Sequence, residues 1–392
     1  MIPELALYIH WPFCAALCPY CDFTRGLWSN AATQNPHIWA NAYRDELSYW
    51  SQQLGPRKIT SIFFGGGTPS LMPIALVESL FQDIQKAFGT LGSGVEVTLE
   101  MNPTSFEALK VQEMIALGVN RISVGVQSLR PETLTWLGRN HNRDEALAVL
   151  SWLKETGVSF SFDLMYAHIH HAVSDVWKKE LQEALSYAGE HLSLYQLTLE
   201  PGTPFARKAK KGTPLVLPPD QAADVYIWTQ EYLSSLGWNP YEVSNYARNK
   251  AYSQHNLAYW RYQDYLGVGA GAHSRITLPC GEKHALVNQH SSRVWLAQIQ
   301  EKGHGMHQKN SLTQATQLKE RLLMGLRLQE GIETVYLDQL PKSFWLKVQQ
   351  LQDTAYVTLR QQRLILTLEG RIRMDGILNF LCADLDAVYS VR

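Results

Sequence analysis

Over the first 240 residues, short β-rich runs alternate with longer amphipathic stretches, and this rhythm narrows the fold more than any other feature. The runs are Leu5–His10, Ile59–Phe64, Val95–Glu100, Arg121–Gln127, Ser159–Met165 and His191–Leu199. Several are nearly continuously apolar, as parallel strands covered on both faces are. Between them lie helical patterns over Pro36–Gln53, Pro73–Phe88, Ser105–Leu117, Arg143–Thr156 and Val173–Tyr187, and Asp220–Leu236 follows the last run. This series predicts a parallel α/β domain with right-handed crossovers. Pattern alone leaves an open doubly wound sheet and a barrel as alternatives. Polar or glycine-rich residues end the runs: His10, Gly65–Thr68, Glu100–Asn102, Gln127–Ser128 and Asp163. Ligands bind at the carboxyl ends of strands in both architectures, so these positions should meet at one site.

Past residue 240 the rhythm changes. Segment 241–275 is rich in Tyr, Asn, His and Gly, residues 313–329 read as an amphipathic helix, and 356–360 with 363–368 read as a hairpin. We therefore expect an α/β core over 1–240, a connecting segment over 241–300 and a smaller C-terminal α+β domain over 301–392. A net charge of −1 lacks the basic footprint of a nucleic-acid binder. No apolar run reaches the ~18 residues of a transmembrane helix. The opening MIPELALYIHWPF reads as a first strand, without the basic leader of a signal peptide. Five cysteines in 392 residues make no disulfide framework, and reduced thiols suit the cytosol. Cys280 and Cys382 stand alone and read as ordinary buried or loop cysteines.

The other three lie in Cys14-x3-Cys18-x2-Cys21, a ligand spacing. Zinc wants four ligands, and His10 sits close enough in sequence to complete a Cys3His site. An iron–sulfur cluster normally takes four cysteines, so three would leave one iron open to a substrate or cofactor. Further motifs follow: Gly65-Gly66-Gly67-Thr68-Pro69, Glu100-x-Asn102-Pro103, Gly125-Val126-Gln127-Ser128, Leu137-Gly138-Arg139-x-His141, Asp163-Leu164-Met165-Tyr166 and Tyr241-Glu242-Val243-Ser244-Asn245-Tyr246.

With Tyr20 before the last cysteine, this set resembles the radical-SAM superfamily and, within it, the oxygen-independent coproporphyrinogen III oxidase-like group. The resemblance spans roughly residues 5–335 and continues more weakly to the end. It implies a partial (β/α)6 barrel with a smaller C-terminal α+β domain. It also implies a [4Fe–4S] cluster on Cys14, Cys18 and Cys21, whose open iron binds S-adenosylmethionine (SAM), and an electron donor for that cluster. In such proteins the reduced cluster cleaves SAM to a 5′-deoxyadenosyl radical. Carried over by motif, Tyr8, Gly66 and Glu100 would contact cluster-bound SAM. Tyr20, Gly67, Thr68, Gln127, Arg139 and Asp163 would line the same cavity. Taken singly, Arg139 could be a surface ion pair and Asp163 a helix cap.

The oxidases end their cluster motif in Cys-x-Cys, whereas this chain reads Cys21-Asp22-Phe23. That change resembles the sister group, the HemW-type heme chaperones, which bind heme and deliver it to client proteins. His255-Asn256-Leu257-Ala258-Tyr259-Trp260 matches the HNxxYW motif linked there to heme binding. The resemblance thus implies a heme ligand at His255 beside Tyr259 and Trp260, with the site partly exposed so that heme can leave. One place departs from the group. After Tyr166 a Gly/Pro turn is usual, but the chain reads Ala167-His168-Ile169-His170-His171. The plain reading is drift in a loop, and the sharper one is an extra heme or metal ligand facing the barrel mouth. The competing functions are a cytoplasmic heme chaperone, a coproporphyrinogen oxidase and a zinc-stabilised α/β protein.

Overall fold

The computed structural model describes residues 2–27, 36–172, 174–383 and 385. Six parallel strands form the centre: β1 (Glu4–Trp11), β2 (Lys58–Gly66), β3 (Glu96–Met101), β4 (Arg121–Gln127), β5 (Ser159–Tyr166) and β6 (His191–Gln196). They lie side by side in that order, and the row continues at both ends into a sheet of 12 strands that does not close on itself. This is the partial (β/α)6 barrel of the sequence expectation. The helices between the strands are α1 (Pro36–Leu54), α2 (Ile74–Phe88), α3 (Ser105–Leu117), α4 (Arg143–Thr156) and α5 (Ser174–Tyr187), with α6 (Pro219–Ser235) after β6. Val173, expected to begin α5, lies outside the described residues.

Local chemistry explains the helix limits. Asn142 and Glu145 form a reciprocal capping box at the start of α4, and Gly157 ends that helix in the left-handed region at φ 69°. One face of the strands is apolar and closed: Leu5, Leu7, Ile9, Ile62, Phe64, Ile122, Phe162 and Leu194 are each no more than 1% exposed, while Tyr8, Phe63, Ser123 and Asp163 on the other face border a cavity.

Segment 241–300 does more than connect. It supplies β8 (Asn245–Ala247), α7 (Gln254–Trp260), β9 (Tyr265–Val268), β10 (His273–Thr277) and β11 (Lys283–Asn288) after the short edge strand β7 (Asn239–Pro240). Strand β9 pairs in parallel with β1, and β10, β11 and β12 (Met306–Ser311) extend that end of the sheet antiparallel. At the other end β8 pairs antiparallel with β6. The polar, aromatic composition that read as a connection belongs to short, largely buried strands and to α7. A second core gathers Leu318, Leu322, Phe344, Val348, Leu364 and Leu378. It joins α8 (Gln314–Gly325), β13 (Ile332–Glu333), α9 (Lys342–Asp353), the expected hairpin β14 (Val357–Arg360) and β15 (Arg363–Leu366), and α10 (Met374–Cys382).

Glu46 of α1 ties the added strands to the barrel. Its wholly buried carboxylate accepts from the backbone N–H groups of Gly269 and Gly305, from Asn288 Nδ2 and from the Trp295 indole, at 2.8–3.2 Å. Burial pushes its pKa up to about 7, against these four donors, which hold it down. A glutamine here would turn an NH2 group toward N–H donors. Glu46→Gln should therefore cost about 2–3 kcal/mol, the penalty of buried donors left unmatched. Urea unfolding at neutral pH measures it, and an unchanged midpoint would contradict this account of the carboxylate.

Candidate radical-SAM site

The three cysteines lie in the loop after β1. Phe13–Cys14 pairs with Gly26–Leu27, and the Cys21 N–H donates to the Cys18 carbonyl at 3.3 Å, so the loop folds back on itself. Cys14, Cys18 and Cys21 line a cavity of about 150 Å3 together with the glycine loop, Glu100, Gln127, Arg139 and Asp163. All three are free thiols. Burial pushes Cys14 up to about 11 and raises Cys21, while the Thr68 hydroxyl at Cys14 and the Arg25 guanidinium pull the other way. Thiols held this way become thiolates when a metal takes the place of the proton.

A Cys3His zinc site would need His10 as its fourth ligand, and His10 is committed. Its Nε2–H donates to the Thr24 carbonyl at 2.8 Å, so Nδ1 accepts from the Tyr8 hydroxyl at 2.9 Å. Burial lowers its pKa to about 4, and no lone pair is left for a metal.

Gly65 and Gly66 end β2, and Gly67–Thr68 continue along the cavity wall. Gly66 has φ 111°, a conformation that side chains disfavour, and a Cβ there would lie 2.5 Å from the His10 ring. A Cβ on Gly67 would lie 2.5 Å from the Phe13 carbonyl. The glycines let the loop pack down on the cysteine segment, and Thr68 N–H donates to Phe13 O at 2.8 Å. Gly66 N–H donates to Glu100 Oε2 at 3.1 Å. Burial, followed by the neighbouring Asp163, pushes Glu100 up to about 8. Burial also raises Asp163 to about 6, against the Ser193 hydroxyl, Arg121 and Arg139. This carboxyl pair would be relieved by a ligand ammonium group.

Arg139 is half-buried and turned into the cavity, not a surface ion pair. It donates to Gly125 O at 2.7 Å, to the Cys18 sulfur at 3.5 Å and to the Tyr20 hydroxyl at 3.5 Å, and it also bonds Asn102 Oδ1. Its Nε, like that of Arg25, is buried without a partner. Gln127 takes φ 67°, strained for a side-chain-bearing residue, and lines the cavity beside it. Asp163 caps no helix: it sits inside β5 and faces the cavity. Tyr8, Gly66, Glu100 and Asp163 also border a second space of about 580 Å3, within the range of cofactor sites. Asn102, one of the strand-end positions expected to meet there, lines the cysteine cavity, and Arg121 and Arg25 join the site although sequence reading gave them no role. Arg121 begins an apolar run, and nothing in the run's pattern marks its side chain as facing inward.

Phe23 is 59% exposed and borders this space, the cysteine cavity and a third, larger cavity at the barrel mouth. His255 corrects one expectation: instead of standing partly open it is 5% exposed, inside the barrel wall. Its Nδ1 bonds the Ser61 hydroxyl at 2.9 Å and its ring stacks on Phe63 at 5.0 Å, and burial lowers its pKa to about 3. Helix α7 does set Tyr259 on the same side, with ring centroids 6.1 Å apart. Trp260 does not join them. It borders a separate small pocket and packs under the Arg327 guanidinium at 4.8 Å, because consecutive helical residues diverge by about 100°.

The histidine turn lies apart from these cavities. His171 pairs with Glu180 at 3.2 Å, His168 is wholly buried 3.8 Å from the His171 ring, and His170 packs on Trp136. Ala167 takes φ 59°, where the group usually has a Gly/Pro turn. The loop is held by aromatic packing and a buried carboxylate.

The radical SAM superfamily profile matches residues 8–178. The chain is 34% identical to radical S-adenosyl methionine domain-containing protein 1, mitochondrial, of Danio rerio, over 99% of this chain and 89% of that protein. It is 36% identical to the heme chaperone HemW of Haemophilus influenzae, over 72% of this chain and 73% of that protein. In fold it matches coproporphyrinogen III oxidase (HemN) from Escherichia coli, a radical SAM enzyme, with a TM-score of 0.79 at 21% identity over 99% of this chain and 91% of that one. From its strand order, its cysteine loop and these likenesses, the chain belongs to the radical-SAM superfamily, in the HemN-like group that includes the HemW heme chaperones.

Proposed function

We propose that this chain is a heme chaperone that binds heme, carries a [4Fe–4S] cluster on Cys14, Cys18 and Cys21, and passes heme to client proteins. The observation that carries the reading is Phe23, an apolar ring where the cavities meet, at the place of the oxidases' additional cysteine. A phenyl ring takes no part in thiol chemistry or proton transfer. When bound, the cluster would supply an electron for cleavage of SAM. Glu100, with the Gly66 backbone at its side, would receive the SAM amino group, and Arg139 would hold Cys18 and Tyr20 in place. The heme-chaperone name of the Haemophilus influenzae relative supports the cargo. The cytosolic setting is part of this proposal, although the Danio rerio relative is named mitochondrial.

His255 remains the proposed iron ligand, now through Nε2, because Nδ1 is bonded to Ser61. His255→Ala should shift the heme absorbance bands or weaken binding at least tenfold, and leave cluster iron unchanged. A triple alanine change at His168, His170 and His171 should leave heme binding in place. If that triple variant loses heme while His255→Ala keeps an unaltered spectrum, the choice of ligand is wrong. Robust decarboxylation of coproporphyrinogen III would favour the enzyme reading instead.

A further inference from the structure

A cavity of about 970 Å3 opens between the barrel mouth and the C-terminal unit. Tyr195, Met165 and Tyr226 form its barrel side, and Arg327, Arg371 and Met374 form the other. The two arginines carry the inference. Arg371 is 9% exposed, and its terminal nitrogens donate to the backbone carbonyls of Arg327 and Leu328, each at 3.3 Å. Arg327 keeps a buried Nε without a partner and lays its guanidinium on Trp260. Among the described residues neither guanidinium has an ion pair. The carboxylate that acts on Arg371 from nearby is Glu242, whose Oε1 is taken up by Ser244 N–H at 2.8 Å and Asn245 Nδ2 at 2.6 Å. Asp220 and Asp375 also border the cavity, but both are exposed to solvent, where charge is screened.

A guanidinium keeps its proton, so burying one without an anion is costly unless a ligand supplies the anion. Its planar fork matches carboxylates in a bidentate way. Two such groups, joined through the Arg371 bond to the Arg327 carbonyl and facing aromatic and thioether surface, fit a flat apolar ligand with two carboxylates on one edge. We propose that Arg327 and Arg371 form a clamp for the propionate carboxylates of a tetrapyrrole seated in this cavity. The clamp rests on the heme reading and is independent of which side chain meets the iron. It also gives Trp260 a task that its place outside the barrel cavity otherwise leaves unexplained, as the positioning residue under Arg327.

The test compares hemin with hemin dimethyl ester, which keeps the ring and the iron but has no propionate charge. Full-length protein is titrated with each and binding is followed by absorbance. Hemin should bind at least about tenfold tighter than the ester, the effect of one or two charge-assisted hydrogen bonds. Arg327→Gln and Arg371→Gln should each weaken hemin, leave the ester nearly unchanged and bring the ratio toward one. Arg327 is only half-buried, so its variant serves even if Arg371→Gln folds poorly. Equal affinity of the unaltered protein for hemin and ester overturns the clamp and leaves the heme reading standing. A ratio that survives in folded Arg327→Gln and Arg371→Gln proteins also overturns it. If neither compound binds, the heme reading falls and the clamp with it.

Discussion

Anaerobically reconstituted Cys18→Ser protein should lose most of its iron, and Cys14→Ser and Cys21→Ser should do the same. Each thiolate would hold a different iron, so no remaining cysteine can replace the missing one. Serine is nearly the same size but is a far poorer iron ligand, and Cys280 is exposed elsewhere on the chain. The fold should survive, since the cysteine loop is held by bonds that do not involve sulfur. Thr68 N–H meets Phe13 O at 2.8 Å, Arg25 reaches the Cys18 carbonyl at 2.7 Å, and Gly26 N–H meets Pro12 O at 2.7 Å. Iron and sulfide analysis beside far-ultraviolet circular dichroism checks both halves. A full cluster in Cys18→Ser protein would sink the ligand assignment. So would stoichiometric zinc in the unaltered protein, which His10, bonded at both ring nitrogens, is unsuited to complete.

Gly66→Val should have the second large effect, and the structure changes its explanation. From sequence, the added side chain would fill space needed by the cofactor. In the fold it meets His10 first, with Cβ 2.5 Å from Cε1 and 2.6 Å from Nδ1, at a backbone φ of 111°. The ring must move, which breaks its bond to Tyr8 and shifts the Gly66 N–H away from Glu100. Left-handed strain and overpacking each cost about 1–3 kcal/mol, so the variant should lose stability as well as SAM affinity. We expect SAM binding weaker by at least about tenfold, on the argument that 1.4 kcal/mol is a factor of ten. Cluster iron should be largely retained. Equilibrium binding of SAM to the folded variant gives the answer, and ordinary affinity would place the cofactor away from the glycine loop.

The parallel strands were legible because each buries an apolar face and ends in polar or glycine residues, and Arg121–Gln127 matches its strand residue for residue. The meeting of Gly66, Glu100, Gln127 and Asp163 at one cavity was legible for a topological reason: successive parallel strands end on the same side. The strands after residue 240 were not. Asn245–Ala247 and Tyr265–Val268 are too short for a period to show, and what fixes them is pairing with β6 and β1 far away in sequence. Burial of His255 was equally hidden, since it depends on Ser61 and Phe63 of another strand. Arg327 and Arg371 sit in amphipathic C-terminal sequence where arginine ordinarily marks a solvent face, and only the packing of that unit over the barrel turns them inward.

The most direct test is one anaerobic sample, reconstituted with iron and sulfide and assayed for three properties together: heme uptake, SAM cleavage under reduction, and coproporphyrinogen III turnover. The account predicts a brown protein that binds hemin and releases it to a heme-free acceptor protein, with no appreciable decarboxylation. A colourless zinc protein, or a brown one that decarboxylates coproporphyrinogen efficiently and binds no hemin, would contradict it.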